Sequence, residues 1–439
     1  MSSEYRMPRK VVLATVGSLG DLHPFIAVGV ALREQGVNVV IACAEDYRDK
    51  VETAGVAFHA LRPGFDDMQR DLGLSRAELT REMVAHSAFM FRKLVLPYVQ
   101  SAYEDMMAVT ADADLIVPSS LAFAARLAAE KRGIPWIAVV LQPMMFLSAY
   151  DPPVIAEAES FSTLLRALGP APTRYALWLL KKALNGLFRP LRALRADSGL
   201  APTAKNPLFD GQFSEAGAIG LYSRLLGEVR PDYPQPTSLV GFAIFDSEDG
   251  RHARLDPALE AFLNAGPPPL VFTLGSLIVN SPGNFYEQGA LAARTLGRRA
   301  VLLVGEEARG DFAHWQSPEV FVGAYAPHSL LFPRAAAVVH HGGIGTLAQG
   351  LRAGRPQLIV PHFADQLDNA ARVRRLGVAR ILPPRRYCAA SAGRDLERLL
   401  RDDYGLAQAR KVAESVSADD GAAHAARIVL DMLEHLRRK

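Results

Sequence analysis

The residues His340-His341-Gly342-Gly343-Ile344-Gly345-Thr346 join a predicted strand to a predicted helix. The apolar run 335–339 before them is typical of a short buried strand, and residues 347–353 after them are typical of a helix. A glycine-rich turn here lets the backbone approach an anion and leaves the first helical N–H groups free to bind it. Thr346 adds a hydroxyl donor and His341 a ring nitrogen. The stretch therefore predicts a phosphate-binding turn.

A second predicted strand, 356–361, is followed by a polar cluster that contains Asp365, Gln366 and Asn369. The alternative role for Asp365 is the N-cap of a helix. A carboxylate and an amide at a strand end next to a phosphate site suit a ligand with a pyrophosphate and a hydroxyl-rich group. That description fits a nucleotide sugar.

Length and charge limit the classes of function. A chain of 439 residues predicts two to three domains. The net charge of +3 is too small to favour nucleic acid, and a pI near 8.8 allows only weak attraction to anionic surfaces. The two cysteines, Cys43 and Cys388, lie far apart in sequence and are not at a metal-type spacing. They suggest a reduced, cytoplasmic protein. The polar segment 1–10 predicts no signal peptide, and no apolar run approaches the roughly 20 residues of a membrane span.

The first half alternates predicted strands with predicted helices. Strands are expected at 10–16, 37–43, 56–58, 114–117 and 136–141, and helices at 24–35, 75–110 and 121–131. Alternation of this kind predicts a parallel sheet with helices on both faces. Ligands of such sheets lie beyond the carboxyl ends of the strands, so the loop after the first strand is a candidate site.

That loop, Gly17-Ser18-Leu19-Gly20-Asp21-Leu22-His23-Pro24, offers Asp21 and His23 as acid–base residues. Alternatively, Asp21 is the N-cap of a helix that begins near Pro24, and His23 is a solvated or packed imidazole. The spacing lacks the Gly-x-Gly-x-x-Gly pattern of dinucleotide binding, which disfavours a nicotinamide dehydrogenase.

Composition also predicts the domain boundaries. The proline-dense segment 230–240 is expected to link an N-terminal domain, 1–229, to a C-terminal domain, 241–417, with predicted strands at 270–274, 300–304 and 320–322. A final helix is expected at 418–439.

Together these motifs resemble the large glycosyltransferase family that includes plant, antibiotic and sterol glucosyltransferases. The resemblance rests on residues 341–346, Arg355-Pro356, Asp365-Gln366 and the loop 17–24, and residues 234–242 are most similar to the rhamnosyltransferase of rhamnolipid synthesis. It implies an α/β chain with the GT-B fold, in which two Rossmann-like, doubly wound parallel-sheet domains face a cleft. It further implies that the final helix returns to the N-terminal domain.

The resemblance also implies roles for individual residues. Asp21 would be the catalytic base, with His23 as a lesser candidate that could line the acceptor pocket. Adjacent residues at a strand end point in opposite directions, and the family register selects His341 rather than His340 for the phosphates. The donor-binding residues implied by the family are Ser276, Tyr325, Ala326, His328, His341, Gly343, Gly345, Thr346, Asp365 and Gln366.

The segment 142–225 is less regular. The apolar loop with Met144, Met145 and Phe146 is a candidate acceptor pocket for a lipophilic alcohol. Residues 175–194 are apolar at helical spacing with interspersed lysine and arginine. An ordinary helix pair packed on the first domain is one interpretation, and a helix that contacts a membrane surface is the other.

The sequence therefore predicts an inverting transferase that moves a hexosyl or 6-deoxyhexosyl group from a UDP- or dTDP-sugar to a hydroxyl of a lipophilic acceptor. No metal and no cofactor besides the nucleotide sugar is expected, because no cysteine or histidine falls at ligand spacing. The protein is expected in the cytoplasm, with peripheral contact at the inner face of the membrane as an alternative. A nucleotide-sugar epimerase or hydrolase on the same fold is one rival, and a non-catalytic partner of another transferase is the second.

Overall fold

The computed structural model describes residues 9–86, 88–155, 159–246 and 253–438. Residues 1–8 lie outside the described residues. The prediction that the segment 1–10 is not a signal peptide falls mostly on them.

In the described part of the first half, seven parallel strands form one sheet in the order β3-β2-β1-β4-β5-β6-β7. The pairing of β4 with β5 consists of isolated bridges, Ile116 with Trp136 and Ser119 with Val139. The strands are β1 Lys10–Ala14, β2 Asn38–Cys43, β3 Ala57–Ala60, β4 Leu115–Pro118, β5 Ala138–Val140, β6 Ala218–Gly220 and β7 Thr237–Leu239.

Strand β1 is buried on both faces because helices cover both sides of the sheet. Val11 and Leu13 belong to one apolar core, and Val12 and Ala14 belong to the core on the opposite face. This alternation follows from the two-residue period of a strand and explains why the sequence of β1 is continuously apolar.

The helices of the first half surround this sheet. They are α1 Leu19–Glu34, α2 Arg48–Thr53, α3 Phe65–Leu72, α4 Arg76–Ala85, α5 Val99–Val109, α6 Phe123–Arg132, α7 Glu159–Leu168, α8 Pro170–Leu184 and α9 Arg189–Asp197. The helical region predicted over 75–110 is divided: a π-helical turn and a 3-10 turn that contains Pro97 separate α4 from α5. Among the described residues, no helix is both long and apolar enough to cross a membrane.

The second half is built around a six-stranded parallel sheet of order β10-β9-β8-β11-β12-β13 within the described residues. Its strands are β8 Leu270–Thr273, β9 Ala300–Leu303, β10 Val320–Gly323, β11 Ala337–His340, β12 Gln357–Ile359 and β13 Ala379–Ile381. The order reverses between β8 and β11, which is the position where doubly wound sheets bind ligands.

Ten helices accompany this part of the described chain. They are α10 Pro257–Asn264, α11 Gly275–Ile278, α12 Phe285–Thr295, α13 Arg309–Phe312, α14 His328–Leu331, α15 Ile344–Arg352, α16 Gln366–Arg375, α17 Ala389–Leu400, α18 Asp403–Ser417 and α19 Gly421–Arg438. The predicted α/β class with two doubly wound parallel sheets is confirmed.

The boundary between the two lobes lies later than predicted. Residues 237–239 were expected to belong to the linker, but they form β7, which pairs with β6 in the first sheet. At the other end of the chain, α19 packs on α1, where Ala425, Val429 and Leu433 join the core of the first lobe. The packing of the first lobe therefore includes β7, the residues Val240 and Ala243 after it, and α19.

A buried ion cluster joins the lobes. Arg372, on α16 of the second lobe, donates through Nε to Asp368 Oδ2 (2.6 Å) and through Nη1 to the carbonyl of Leu226 (2.8 Å) and to the carboxylate of Asp151. Asp368 Oδ1 also accepts from the backbone N–H of Val154 (2.9 Å). The Arg372 and Asp368 side chains have no exposed surface, so this cluster fixes α16 against the first lobe.

Candidate active site

The two lobes enclose a cavity of about 280 Å³ at the carboxyl ends of both sheets. From the first lobe, the start of α1 lines it with Leu19, Gly20 and His23. From the second lobe it is lined by several predicted donor-site residues, namely Ser276, Tyr325, His328, Gly345 and Thr346. The cavity thus lies between the two places where each sheet is expected to bind a ligand.

The turn between β11 and α15 leaves a helix N-terminus open toward this cavity. Gly343 is the N-cap of α15, and no side chain caps the helix. The first N–H groups of α15, including those of Gly345 and Thr346, have no intrahelical acceptor, and the helix dipole adds a positive potential there. Gly342 has a φ of +92°, and a Cβ at this position would lie 2.9 Å from a methyl carbon of Ile359. Only glycine fits such a turn.

His341 lies between two glycine turns of the second lobe. A Cβ added to Gly275 would lie 2.6 Å from its Cε1, and one added to Gly343 would lie 2.3 Å from its Nε2. The side chain is buried, and its Nδ1 has no hydrogen-bond partner in the described part of the protein. Burial lowers the pKa of His341 well below its usual value, so the ring is neutral at pH 7.

His340 has a different role. Its Nδ1 accepts a hydrogen bond from the N–H of Gly342 (3.1 Å), so the proton is on Nε2, which donates to Gln357 Oε1 (2.8 Å). The ring is completely buried. His340 therefore shapes the turn from behind, while His341 lies in it, as the alternation of strand-end residues predicts.

Asp21 lies in the first turn of α1, and its surroundings differ from the prediction. The helix begins at Leu19, with Ser18 as its N-cap, so Pro24 lies inside the helix and Asp21 is not the N-cap. The Asp21 carboxylate closes a capping box by accepting from the backbone N–H of Ser18 (2.8 Å) and from its hydroxyl (3.3 Å). Burial raises the pKa of Asp21 to about 6, although these hydrogen bonds act in the opposite direction.

Asp365 is the corresponding carboxyl group of the second lobe. Burial raises its pKa to about 7, a hydrogen bond from Asn369 lowers it, and the charge of Asp21 raises it further. The two carboxyl groups are therefore close enough to interact electrostatically. The backbones also approach here, since a Cβ on Gly345 would lie 3.9 Å from the Cα of Gly20. The carboxyl groups of Asp21 and Asp365 thus lie near one another where the two lobes meet.

Gln366 and Asn369 order the loops around Asp365. Gln366 Oε1 accepts from the N–H groups of His362 (2.8 Å) and Phe363 (3.2 Å), so its oxygen is engaged within the protein. Asn369 Nδ2 donates to Asp365 Oδ2 (2.6 Å) and to the carbonyl of Gly342 (3.1 Å). Asn369 therefore connects the carboxylate end of the site with the phosphate-type turn.

Sequence analysis missed Asp246 at the opposite end of the cavity. Its carboxylate accepts from the hydroxyl of Tyr325 (3.2 Å), from the N–H of His328 (3.3 Å) and from the N–H of Ser329. Asp246 is about 80 residues away from these partners in the sequence, so no local pattern identifies it. It holds Tyr325 and the start of α14 in place at the cavity wall.

The two other cavity histidines are neutral. Burial and the charge of Lys50 lower the pKa of His23 to about 3, and burial also lowers the pKa of His328. The ring of His23 meets Phe245 edge-on at 5.5 Å, and its Nε2 is buried without a partner among the described residues. His23 can therefore offer this ring nitrogen, which has no hydrogen-bond partner among the described residues, to a ligand.

Several predicted site residues lie outside the cavity wall. The Ala326 side chain packs in the core of the second lobe, so only its backbone could meet a ligand. Phe146 is buried and stacks on Tyr233 at 3.9 Å, which corrects its assignment to an open acceptor pocket. Met145 packs partly against two cores, and Met144 is half-buried and outside them. None of these four residues lines the cavity. The predicted site residues Asp21, His341, Gly343, Asp365 and Gln366 do not line it either.

Comparison with known proteins supports the architecture. Residues 11–150 match the model of the glycosyltransferase family 28 N-terminal domain, and residues 293–432 match that of the erythromycin biosynthesis protein CIII-like C-terminal domain. The chain is 31% identical to O-mycaminosyltylonolide 6-deoxyallosyltransferase of Streptomyces fradiae over 97% of its own length and 98% of that protein.

Solved structures agree on the fold. The calicheamicin glycosyltransferase CalG4 superposes with a TM-score of 0.70 at 19% identity, covering 98% of this chain and 99% of that one. The spinosyn rhamnosyltransferase SpnG, complexed with thymidine diphosphate, superposes with a TM-score of 0.65 at 18% identity, covering 96% and 99%. The fold is thus that of the GT-B enzymes. The chain belongs to the nucleotide-sugar-dependent glycosyltransferases of the natural-product type, and the predicted family is confirmed.

Proposed function

We propose that this enzyme transfers a hexosyl or 6-deoxyhexosyl group, with inversion, from a UDP- or dTDP-sugar to a hydroxyl of a lipophilic small molecule. The observation that carries the proposal is the close approach of the uncapped N-terminus of α15 to the start of α1, the helix that carries Asp21. A Cβ on Gly345 would lie 3.9 Å from the Cα of Gly20. An anion-binding turn opposite a base is the arrangement that displacement at an anomeric carbon requires.

In the proposed reaction, Asp21 removes the proton of the acceptor hydroxyl while the acceptor oxygen attacks the anomeric carbon from the face opposite the diphosphate. The bond from that carbon to the diphosphate oxygen breaks, and the diphosphate leaves with the electron pair. A carboxylate whose pKa is raised to about 6 is a stronger base than an ordinary one and is still largely ionised at pH 7.

The leaving group is stabilised by donors that are already in place. The free amides at the start of α15 and the Thr346 hydroxyl point toward developing negative charge, and His341 adds a neutral ring N–H. Such preorganised donors are commonly the largest electrostatic contribution to catalysis. The proposal assigns this task to the protein alone, without a metal ion. Among the described residues, no group of three or more histidine, cysteine, aspartate or glutamate side chains is arranged to hold one.

The sugar and the nucleotide are assigned to opposite ends of the cleft. Asp365 and the amide of Gln366 are proposed to bind sugar hydroxyls, beside the diphosphate turn. Tyr325, held by Asp246, is proposed to pack on the pyrimidine at the other end, with His328 beside it. A 6-deoxyallosyltransferase among the relatives and a thymidine diphosphate complex among the structures support a deoxysugar donor carried by dTDP.

The acceptor is proposed to enter from the first lobe near Met144, which is outside the two packed cores. Contact with a membrane surface belongs to this proposal, because a lipophilic alcohol partitions into bilayers.

Product analysis tests the proposal. UDP-glucose and dTDP-rhamnose are each incubated with lipid, phenolic and sterol alcohols, with and without a chelator, and the anomeric configuration of the product is read by NMR. We expect an inverted glycoside whose formation survives the chelator. Sugar turnover that proceeds equally without any acceptor would support the epimerase or hydrolase instead. Binding of the donor without turnover of any kind would support a non-catalytic partner.

A further inference from the structure

The hairpin of α7 and α8 has an unusual distribution of apolar side chains. Only Ser162 is buried in α7 and only Thr173 in α8, and both are small and polar. Six large apolar side chains on the two helices are instead 46% to 63% exposed, namely Phe161, Leu164, Leu168, Tyr175, Trp178 and Leu179. A contiguous exposed apolar surface of this kind marks an interaction site. We call these six residues the hairpin patch.

Basic groups surround the hairpin patch. The rings of Tyr175 and Trp178 stack at 5.7 Å, and the Lys182 ammonium lies 5.6 Å from the Trp178 ring. The guanidinium of Arg174 lies 5.9 Å from the exposed ring of Tyr150. Exposed aromatic rings with cations over their faces are typical of surfaces that insert into the headgroup region of a bilayer.

The local charge is far from that of the whole chain. Residues 159–195 contain seven lysine and arginine residues and one acidic residue, Glu159, whereas the whole protein has a net charge of +3. Three of the basic side chains pair with acidic residues outside the segment: Arg166 with Asp151, Lys181 with Asp210 and Arg195 with Glu130. The remaining four outnumber Glu159, so the segment that exposes the apolar side chains is still positively charged. Lysine and arginine side chains close to an anionic membrane surface favour binding to it, so this segment complements such a surface.

We propose that the hairpin patch docks the enzyme on the surface of a lipid bilayer that contains anionic headgroups. The proposal rests on the proposed function, because it explains how a lipophilic acceptor reaches the site. A second copy of the chain fits less well as the occupant. A twofold-symmetric contact would place two segments of the same strong positive charge against each other.

The turn end of the hairpin is joined to a loop that packs beside the proposed sugar site. Arg166 of α7 donates to the carbonyl of Pro152 (2.7 Å) and lies 3.5 Å from Asp151, the partner of Arg372 on α16. Val154 in the same loop packs against Leu367 and Ala371 of α16, whose first residue is the proposed sugar ligand Gln366. A bilayer at the hairpin patch would therefore lie near the helix whose first residue is the proposed sugar ligand.

Vesicle cosedimentation tests the proposal without donor or acceptor. We expect the protein to bind phosphatidylcholine vesicles that contain phosphatidylglycerol, to bind pure phosphatidylcholine more weakly, and to dissociate as salt is raised. The triple variant Phe161→Ser/Tyr175→Ser/Trp178→Ser should lose affinity roughly tenfold or more. Tyr404→Ser is the matched control, because this 77% exposed aromatic lies on α18, outside the hairpin, and its affinity should equal that of the parent.

A second measurement guards against misfolding of the triple variant. The parent protein should show a blue shift of tryptophan emission with anionic vesicles, and Trp178→Phe alone should remove most of it. Absence of vesicle binding, equal loss in Tyr404→Ser, or self-association through the hairpin patch in place of binding would each overturn the proposal. Because binding is measured without transfer, these results leave the proposed function standing. Failure of transfer to every lipid, phenolic and sterol alcohol of the product assay, run without vesicles, would overturn that function and leave vesicle binding intact.

Discussion

Replacing Asp21 with asparagine should make the protein more stable at neutral pH and nearly inactive. The exchange preserves shape, and the asparagine oxygen can still accept the 2.8 Å hydrogen bond from the Ser18 N–H that closes the capping box. What it removes is a negative charge at a partly exposed position, where the surrounding protein displaces water from the carboxylate. The two effects therefore have the same cause and can be measured on one variant.

The magnitude for stability follows from the pKa. Burial holds the pKa of Asp21 at about 6 against an ordinary value of 3.8, so the ionised group costs the folded state about 3 kcal/mol. The folded protein binds this proton more tightly than the unfolded chain. The free-energy cost of ionising Asp21 in the folded protein is therefore absent when the pH is below the ordinary pKa of 3.8. It grows as the pH rises toward about 6 and is constant at higher pH. The variant also lacks the repulsion between the charges of Asp21 and Asp365, which adds to its gain in stability.

Two assays measure the effects. Urea unfolding of parent and Asp21→Asn at about pH 8 should show a gain of up to about 3 kcal/mol, and the difference should shrink as the pH approaches about 4. Sugar transfer should fall roughly 10²- to 10⁴-fold, the usual contribution of a general base, while donor affinity stays within a few fold. In the parent, kcat/KM should rise with pH through about 6, with Asp365 adding a second ionisation near 7.

Retained transfer by Asp21→Asn would refute the assignment of the base and would transfer that role to His23 or another group. An equal stability difference at both pH values would refute the claim that the charge of Asp21 is the cause. Loss of donor binding together with loss of transfer would indicate that the site had collapsed, which the capping argument excludes.

The remaining predictions concern the second lobe. His341→Ala should reduce kcat/KM for the donor roughly 10²-fold or more in steady-state assays. Gly275→Ala should reduce kcat/KM similarly, because the added Cβ would lie 2.6 Å from the imidazole of His341. Gly283→Ala is the control, since Gly283 also has a positive φ but has open space around it, and its kcat/KM should not change. Equal kinetics of the parent and all three variants would remove His341 from the site. Arg372→Met should lower the free energy of unfolding by about 3–5 kcal/mol, because two carboxylates lose their buried partner. Arg380→Met, which removes a half-exposed ion pair, should cost less than about 1 kcal/mol, and similar losses for both would contradict the role given to the buried cluster.

Local patterns were sufficient for the parts of the site that are continuous in sequence. The turn from β11 into α15 and the opposite orientations of His340 and His341 follow from glycine placement and the strand period, both readable in seven residues. The two parallel sheets follow from the alternation of apolar strands with helices.

Features that depend on distant partners could not be predicted in the same way. The start of α1 was misplaced because proline favours the first turn of a helix, yet Pro24 lies inside this one. Residues 237–239 look like linker because their own sequence is polar, and only pairing with β6 makes them a strand. The position of His341 between Gly275 and Gly343 joins turns after two different strands. The outward face of α8 has the same helical period as a buried face, so periodicity alone cannot tell them apart.

The position of α19 has a consequence for how the protein is made. Its apolar face completes the core against α1, yet the whole second lobe separates the two helices in sequence. Until α19 has been translated, the nascent first lobe must expose the surface that this helix will cover. The amino-terminal half expressed alone would therefore be prone to aggregation, and a fusion placed directly after α19 would be tethered beside the helix that carries Asp21.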